Sequence, residues 1–168
     1  RRMNMAPNGT AIIVKMREDL LSLIEKNKEL VYLDSDLIHL FKAWFNPGFL
    51  NLEKITWKTK ALVLEKIIKY ERVHLMKDMN DLKRRLGEDR RFFSFFHPAL
   101  EDEPVIFVQV ALTSGLSKSI QEIMKPSSDI EKKNDTATFY SISNCQEGLT
   151  RVTLGNFLIK RVIFEIQE

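Results

Sequence analysis

The chain has 168 residues, 44% of them hydrophobic and 29% charged, a composition typical of a globular protein that can bury a core. The formal net charge of +3 is too small to indicate nucleic-acid binding by itself, and no run of 18 apolar residues predicts a membrane span. The single cysteine, Cys145, excludes an internal disulfide bond and favours a reducing compartment.

The first half of the chain is predicted to be helical. Apolar residues at helical spacing predict an amphipathic helix over residues 10–30, and the sequence DSD at 34–36 predicts the N-cap of a second helix that ends at NPG, residues 46–48. A third helix follows Thr56 or Thr59, and a fourth, shorter one ends at Gly87. We therefore expect residues 1–88 to form an all-helical bundle.

The composition changes after residue 88. Aromatic and β-branched residues in RRFFSFFHP and EPVIFVQVALT predict two strands joined by a hairpin-like turn, and TATFYSISN predicts a third strand. A short helix over 117–125 and a solvated loop over 127–135 lie between them, and a final helix begins near Leu154. The predicted fold class is α+β: a helical bundle, residues 1–88, and a truncated α/β domain, residues 89–168.

The segment NCQEGLTRVTLGNFLIKRV, residues 144–162, is the best candidate for a binding site. A strand, a turn containing Gly148 and then a helix would direct free backbone N–H groups at one point, where the helix dipole also favours an anion. Gly148 would let a ligand approach the backbone closely or would adopt a positive φ. A tight strand-to-helix connection without a ligand is the alternative reading of the same pattern.

Other reactive side chains carry weaker signals. His39, His74 and His97 show no metal-ligand spacing, and we expect His39 to be packed or half-buried. Ser94, Ser141 and Ser143 lie on predicted strands without a nucleophile elbow, so a structural role is expected. The basic run KRRLGEDRR is interrupted by acidic residues and favours a solvated junction over a nucleic-acid surface.

Three long segments resemble malonyl-CoA decarboxylases. They are WFNPGFLNLEKITW, DMNDLKRRLGEDRRFFSFFHPALEDEPVIFVQVALT and TATFYSISNCQEGLTRVTLGNFLIKRV, and they occur in the family's order. The resemblance implies a helical oligomerisation domain followed by an acetyltransferase-like (GNAT-like, acyl-CoA N-acyltransferase-type) catalytic domain. It also implies conversion of malonyl-CoA to acetyl-CoA and CO2 without a metal or redox cofactor, in mitochondria, peroxisomes or cytoplasm.

The resemblance assigns the coenzyme A-binding loop to one stretch of this chain. The implied binding residues are Gln146, Glu147, Gly148, Leu149, Thr150, Arg151, Val152 and Gly155. The chain departs from the family pattern at Arg151, where glycine is usual. The Arg151 side chain could crowd the phosphates of coenzyme A or pair with them as a cation.

The resemblance also implies that the family's catalytic serine and histidine lie in motifs beyond Glu168, so no catalytic residue is assigned within this chain. We expect the chain to be a piece of a longer protein that is inactive alone and forms homo-oligomers through its helical domain. The alternative is a truncated, non-catalytic paralogue that binds full-length subunits or coenzyme A. A different acetyltransferase-like enzyme ranks lowest, because the resemblance extends through the helical region.

Overall fold

The structure, a computed structural model, describes residues 2–124 and 134–167. Helices dominate the first part of the chain, and strands occupy most of the second. Short 3-10 turns lie at Arg2–Met5, Pro47–Phe49 and Glu147–Leu149. The described elements are, in chain order, α1 (Gly9–Leu23), α2 (Leu30–Trp44), β1 (Asn51–Lys54), α3 (Ala61–Tyr70), α4 (Met79–Arg85), β2 (Arg90–Phe96), β3 (Pro104–Thr113), α5 (Ile120–Met124), β4 (Thr136–Asn144) and α6 (Gly155–Gln167).

The four strands form one sheet in the order β1-β2-β3-β4, with antiparallel pairing throughout. The predicted hairpin of β2 and β3 is confirmed, and the register places Phe93 opposite Val108. The strand predicted from TATFYSISN is confirmed as β4, which pairs with β3 along its whole length. An irregularity between Gln109 and Val110 shifts the register of β3 against β4 and brings Ser141 opposite Gln109.

Helices cover both faces of the sheet. On one face, apolar residues of α1, α2 and α6 pack against the strands around the fully buried Phe41, Phe95 and Val108. On the other face, α3 and α4 pack around Ile67 and Phe107. Successive residues of a strand point to opposite faces, which is why Phe92 belongs to the second cluster and Phe93 to the first. The chain is therefore an α+β fold with three layers.

The start of α2 differs from the prediction. The helix begins at Leu30, so Asp34 lies inside it and is not an N-cap. Asp34 is almost fully buried and pairs with the guanidinium of Arg17 in α1, with 2.8 Å between Arg17 Nε and Asp34 Oδ1. An aspartate can occupy a helix interior when such a buried partner compensates for its charge, and the partner lies in another helix.

Strand β1 is a second difference, because residues 1–88 were expected to be entirely helical. Its four residues, NLEK, are mostly polar and exposed, and the strand pairs with β2 on one edge only. A short, polar edge strand has no alternating apolar pattern to reveal it.

The domain boundary at residue 88 stays a prediction. The loop predicted at 127–135 lies outside the described residues except for its last two positions.

Candidate functional site

The residues of the predicted binding loop lie in one turn between β4 and α6. A 3-10 turn at Glu147–Leu149 reverses the chain, and Gly155 is the first residue of α6. Leu149 and Val152 are buried in the core that α1 and α6 share, whereas Glu147, Thr150 and Arg151 are exposed. The loop thus has an inner side that anchors it and an outer side that is open to solvent.

Gly148 belongs to the inner side. A Cβ atom built on Gly148 would lie 2.0 Å from the carbonyl oxygen of Val14 in α1, far inside van der Waals contact. The backbone of Gly148 does not adopt a positive φ. The glycine is therefore required by the close approach of α1, a reason that differs from the ligand contact or positive φ considered from the sequence.

Arg151 has a left-handed backbone with φ of 68°. Glycine adopts this conformation without steric cost, whereas a residue with a Cβ pays about 1–2 kcal/mol. Glycine at this position would avoid that cost. The Arg151 side chain is 71% exposed, and its Nη1 atom lies 3.7 Å from Asp34 Oδ2.

Several backbone N–H groups of the loop already have acceptors within the protein. They are those of Gln146, bonded to Asn144 Oδ1, and of Leu149, Thr150 and Val152, which close successive turns with N–O distances of 2.9–3.0 Å. Within the loop, the N–H groups of Glu147, Gly148 and Arg151 have no acceptor among these bonds, and Gly148 is buried against α1. The candidates for an anionic ligand are therefore the N–H groups of Glu147, Arg151 and the residues that lead into α6. The C-terminal half of the loop is the more favourable position for an anion, because the N-terminus of α6 adds partial positive charge there.

A cleft of about 250 Å³ opens beside the loop. Its walls are the end of β4, the start of the loop and the segment that follows α3, and its lining residues are Arg72, Val73, Ile142, Ser143, Asn144, Gln146, Glu147 and Thr150. Arg72 Nη2 lies 2.6 Å from Glu147 Oε1 across the cleft. The cleft has room for part of a ligand, since whole small-molecule sites usually measure 300–1,000 Å³.

A buried carboxylate lies beneath this cleft. Glu71, 1% exposed, accepts hydrogen bonds from Ser141 Oγ at 2.9 Å, Ser143 Oγ at 3.1 Å and the backbone N–H groups of Val73 and His74. These contacts fix the segment after α3 against β4. They also show that Ser141 and Ser143 have structural hydrogen-bond partners, as expected from the sequence.

Arg85 compensates for the charge of Glu71. It is 3% exposed, its Nη1 atom lies 3.7 Å from Glu71 Oε2, and it donates to Gln109 Oε1 at 3.1 Å and to the carbonyl oxygen of Leu75 at 3.2 Å. Sequence reasoning did not identify Glu71, and it placed Arg85 in a solvated basic run, which was wrong because Arg85 is buried. The available signal was a set of polar residues, Gln109, Ser141 and Ser143, at positions where strands otherwise carry apolar side chains.

The remaining candidate side chains have ordinary environments. His97 Nε2 lies 3.0 Å from the carbonyl oxygen of Trp44, its Nδ1 accepts from the Ala99 N–H, and desolvation lowers its pKa. His39 is exposed on α2, so the expectation that it is packed or half-buried was wrong. Burial raises the pKa of the Cys145 thiol well above its ordinary value, which disfavours a nucleophile.

Within residues 2–124 and 134–167, no three His, Cys, Asp or Glu side chains come together as a metal site would require. The basic run does not form a continuous cationic surface, since Arg85 and Arg90 are both buried. None of the described helices combines the length and apolar character that a membrane crossing needs.

A cavity of about 740 Å³ lies along β1, at the opposite edge of the sheet, among Lys54, Lys60 and Asp102.

Comparisons with known proteins identify both parts of the chain. The family model of the malonyl-CoA decarboxylase N-terminal domain matches residues 1–45, and that of the malonyl-CoA decarboxylase C-terminal domain matches residues 48–168. The mitochondrial malonyl-CoA decarboxylases of Anser anser anser and Rattus norvegicus are 42% and 41% identical over 95% of the chain. The chain spans about a third of the length of these relatives, 33% and 34% respectively.

Solved structures give the same result. The chain superposes on the crystal structure of malonyl-CoA decarboxylase from Rhodopseudomonas palustris with a TM-score of 0.87 and 49% identity. The corresponding values for the Agrobacterium vitis protein are 0.90 and 50%. Each comparison covers 99% of this chain and 41% of the other.

Proposed function

The chain belongs to the malonyl-CoA decarboxylase family, and on that premise we propose that it forms the coenzyme A-binding part of an enzyme that converts malonyl-CoA to acetyl-CoA and CO2. The observation that carries this proposal is the match to the Rhodopseudomonas palustris structure, with 49% identity over 99% of the chain. The likeness includes the strand, the loop and the helix of the candidate site.

The proposed binding site for the pyrophosphate of coenzyme A is the loop Gln146–Val152 together with Gly155. The N–H groups of Arg151 and Thr153 precede α6, whose N-terminus carries partial positive charge that favours an anion. Thr150 also lines the neighbouring cleft, where a further part of the ligand could lie. These features support a phosphate contact at the C-terminal half of the loop.

Arg151 is proposed to pair with the phosphates and not to obstruct them. Its guanidinium is largely exposed, and a 3.7 Å contact with Asp34 is too long for a tight ion pair. A contact of that kind at the protein surface contributes about 0–1 kcal/mol. A doubly charged pyrophosphate would therefore compete well for the guanidinium.

The chemical step needs groups that we do not assign to these residues. Loss of CO2 from malonyl-CoA leaves an enolate on the thioester, which placed donors must stabilise and a positioned acid must protonate at carbon. Ser141 and Ser143 donate to the buried Glu71, and His97 bonds to backbone groups at the other end of the sheet. Because these three side chains have structural partners, we assign no catalytic role to them, and no metal or redox cofactor is invoked.

The finer features of the proposal follow from the family. We propose that residues from 89 onwards begin an acetyltransferase-like (GNAT-type) domain and that copies associate through residues 1–88, which are mostly helical. Exposed apolar side chains on α2, among them Val31, Tyr32 and Leu33, support an association surface.

The curated relatives are mitochondrial, so the mitochondrial matrix is the proposed location, with peroxisome and cytoplasm as alternatives.

Release of labelled CO2 from malonyl-CoA tests the proposed function. The complete product of the reading frame that encodes these residues is expected to release CO2, and the 168-residue chain expressed alone is not. Turnover by the chain alone would contradict the location of the chemistry. An inactive complete product that co-purifies with an intact decarboxylase would instead support the non-catalytic alternative.

A further inference from the structure

Arg17 joins α1 to the inner side of the candidate loop. Its side chain is completely buried, and its Nη1 atom donates to the carbonyl oxygens of Gly148, at 2.6 Å, and Thr150, at 2.8 Å. Its Nε atom donates to Asp34 Oδ1 at 2.8 Å, so the guanidinium is held from α2 as well. A guanidinium is a rigid planar fork, so these bonds fix both carbonyl groups in direction as well as in position.

The direction of the Thr150 carbonyl determines the direction of a potential ligand donor. The peptide bonds of the described residues are trans, and in a trans peptide the C=O and the following N–H point in opposite directions. Because the Thr150 carbonyl points at Arg17, the N–H of Arg151 points away from α1. That N–H is among those without an acceptor in the loop's own turns, as described above.

Further contacts hold the inner side of the loop against α1 and α2. Gly148 lies so close to Val14 that no side chain fits between them, and Leu149 is fully buried in the core that α1 shares. Asp34 faces two arginines, with Oδ1 on Arg17 and Oδ2 3.7 Å from Arg151. The carboxylate that holds the guanidinium of Arg17 thus also lies 3.7 Å from the guanidinium proposed to bind phosphate.

We propose that Arg17 is a positioning residue for coenzyme A binding: it orients the Thr150–Arg151 peptide so that the Arg151 N–H faces the pyrophosphate. This inference rests on the proposed function of the loop. Arg17 lies in the part of the chain that matches the N-terminal family model, and the loop lies in the part that matches the C-terminal one. The helical part is therefore a structural component of the binding site, in addition to any role in association.

The test compares two buried arginines in the 168-residue chain. Arg17→Met removes the donors to the loop, and Arg17→Lys keeps a cation that can reach one carbonyl. Arg85→Met is the matched control, because Arg85 is equally buried and also donates to backbone carbonyls, on the other face of the sheet. Hydrogen exchange is followed at the amides of Leu149, Thr150 and Val152, and coenzyme A affinity is measured by titration.

In Arg17→Met, we expect faster exchange at the three loop amides, while the amides of β3 change no more than in Arg85→Met. Coenzyme A should bind about tenfold more weakly, the usual consequence of losing one hydrogen bond to a charged group, and Arg17→Lys should restore part of the affinity. In the unsubstituted chain, coenzyme A should slow exchange in α1 as well as in the loop, because coupling between two sites is reciprocal.

Equal exchange and equal affinity in Arg17→Met and Arg85→Met would overturn the inference. If Arg17→Met does not fold, Arg17→Lys and the protection of α1 by coenzyme A decide in its place, and an unprotected α1 would count against the inference. An unsubstituted chain that does not bind coenzyme A would contradict the proposed function of the loop. The exchange comparison would still decide whether Arg17 sets the loop's conformation.

Discussion

Gly148 and Val14 are in main-chain contact across the boundary between α1 and the candidate loop, and a Cβ on Gly148 would come within 2.0 Å of the Val14 carbonyl oxygen. The nearest atoms belong to backbone, which cannot rotate away as a side chain can. This contact fixes how closely α1 and the loop approach each other. It also makes the glycine a sensitive probe of that approach.

Gly148→Ala should lower the free energy of unfolding by about 1–3 kcal/mol or more, because the added methyl group forces α1 and the loop apart. Urea denaturation of the chain measures the change. Gly48→Ala is the control, since a Cβ at Gly48 would meet only Asn46 Oδ1 at 3.4 Å, an ordinary contact. Equal stability of the two variants would show that α1 does not pack on Gly148 as described.

Arg151 combines a strained backbone with a largely exposed charge, and two substitutions separate these effects. Arg151→Gly should be about 1 kcal/mol more stable than Arg151→Ala, because only glycine relieves the positive φ of 68°. Both variants should bind coenzyme A more weakly than the unsubstituted chain, by about fivefold to tenfold at low salt. Thermal denaturation and titration give the two readouts, and tighter binding by Arg151→Gly would mean that the side chain obstructs the phosphates.

Glu71→Ala should destabilise the chain by about 3–5 kcal/mol, the usual cost of removing one partner of a buried ion pair. Arg85 would lose its carboxylate, and Ser141 and Ser143 would lose their acceptor. Chemical denaturation measures the loss. Glu65→Ala, on the exposed side of α3, is the control, and a similar loss in both variants would refute a structural role for the buried network.

His97 should make the chain less stable at acid pH. Desolvation lowers its pKa below the ordinary value of 6.5, so the unfolded chain binds more protons than the folded chain in this range. The contribution of neutral His97 to the free energy of unfolding is therefore complete above pH 6.5. It is lost as the pH falls through the lowered pKa of His97 in the folded state. Unfolding free energies measured from pH 7.5 to 5 should show a weaker pH dependence in His97→Gln than in the control His39→Gln, and identical slopes would contradict the assignment.

Strands β2, β3 and β4 were predictable because each carries a continuous run of aromatic or β-branched residues bounded by turn signals. Strand β1 was not, because NLEK has no such run and forms only by pairing with β2. Likewise, DSD resembles an N-cap until Arg17 is brought against Asp34 by the packing of α1 on α2. Local patterns identify the elements, whereas contacts between distant residues decide their ends.

For the candidate site too, local patterns were visible in the sequence and contacts between distant residues were not. The order of strand, glycine-containing turn and helix was visible in the sequence and pointed to the loop. The reason for Gly148 was not visible, because it lies in α1, and the buried Glu71 was missed because its partners come from β3, β4 and α4. A sequence motif indicates where a ligand could bind, while the residues that hold the motif in shape appear only in the fold.

Nuclear magnetic resonance titration of the 15N-labelled chain with coenzyme A tests the central claim most directly, because it detects weak binding and locates it. We predict saturable shifts at the amides of Arg151, Thr153 and the first turn of α6, with smaller shifts in α1 around Arg17. Shifts confined to the cavity along β1, or no shifts at millimolar coenzyme A, would contradict the assignment of this loop as the coenzyme A site.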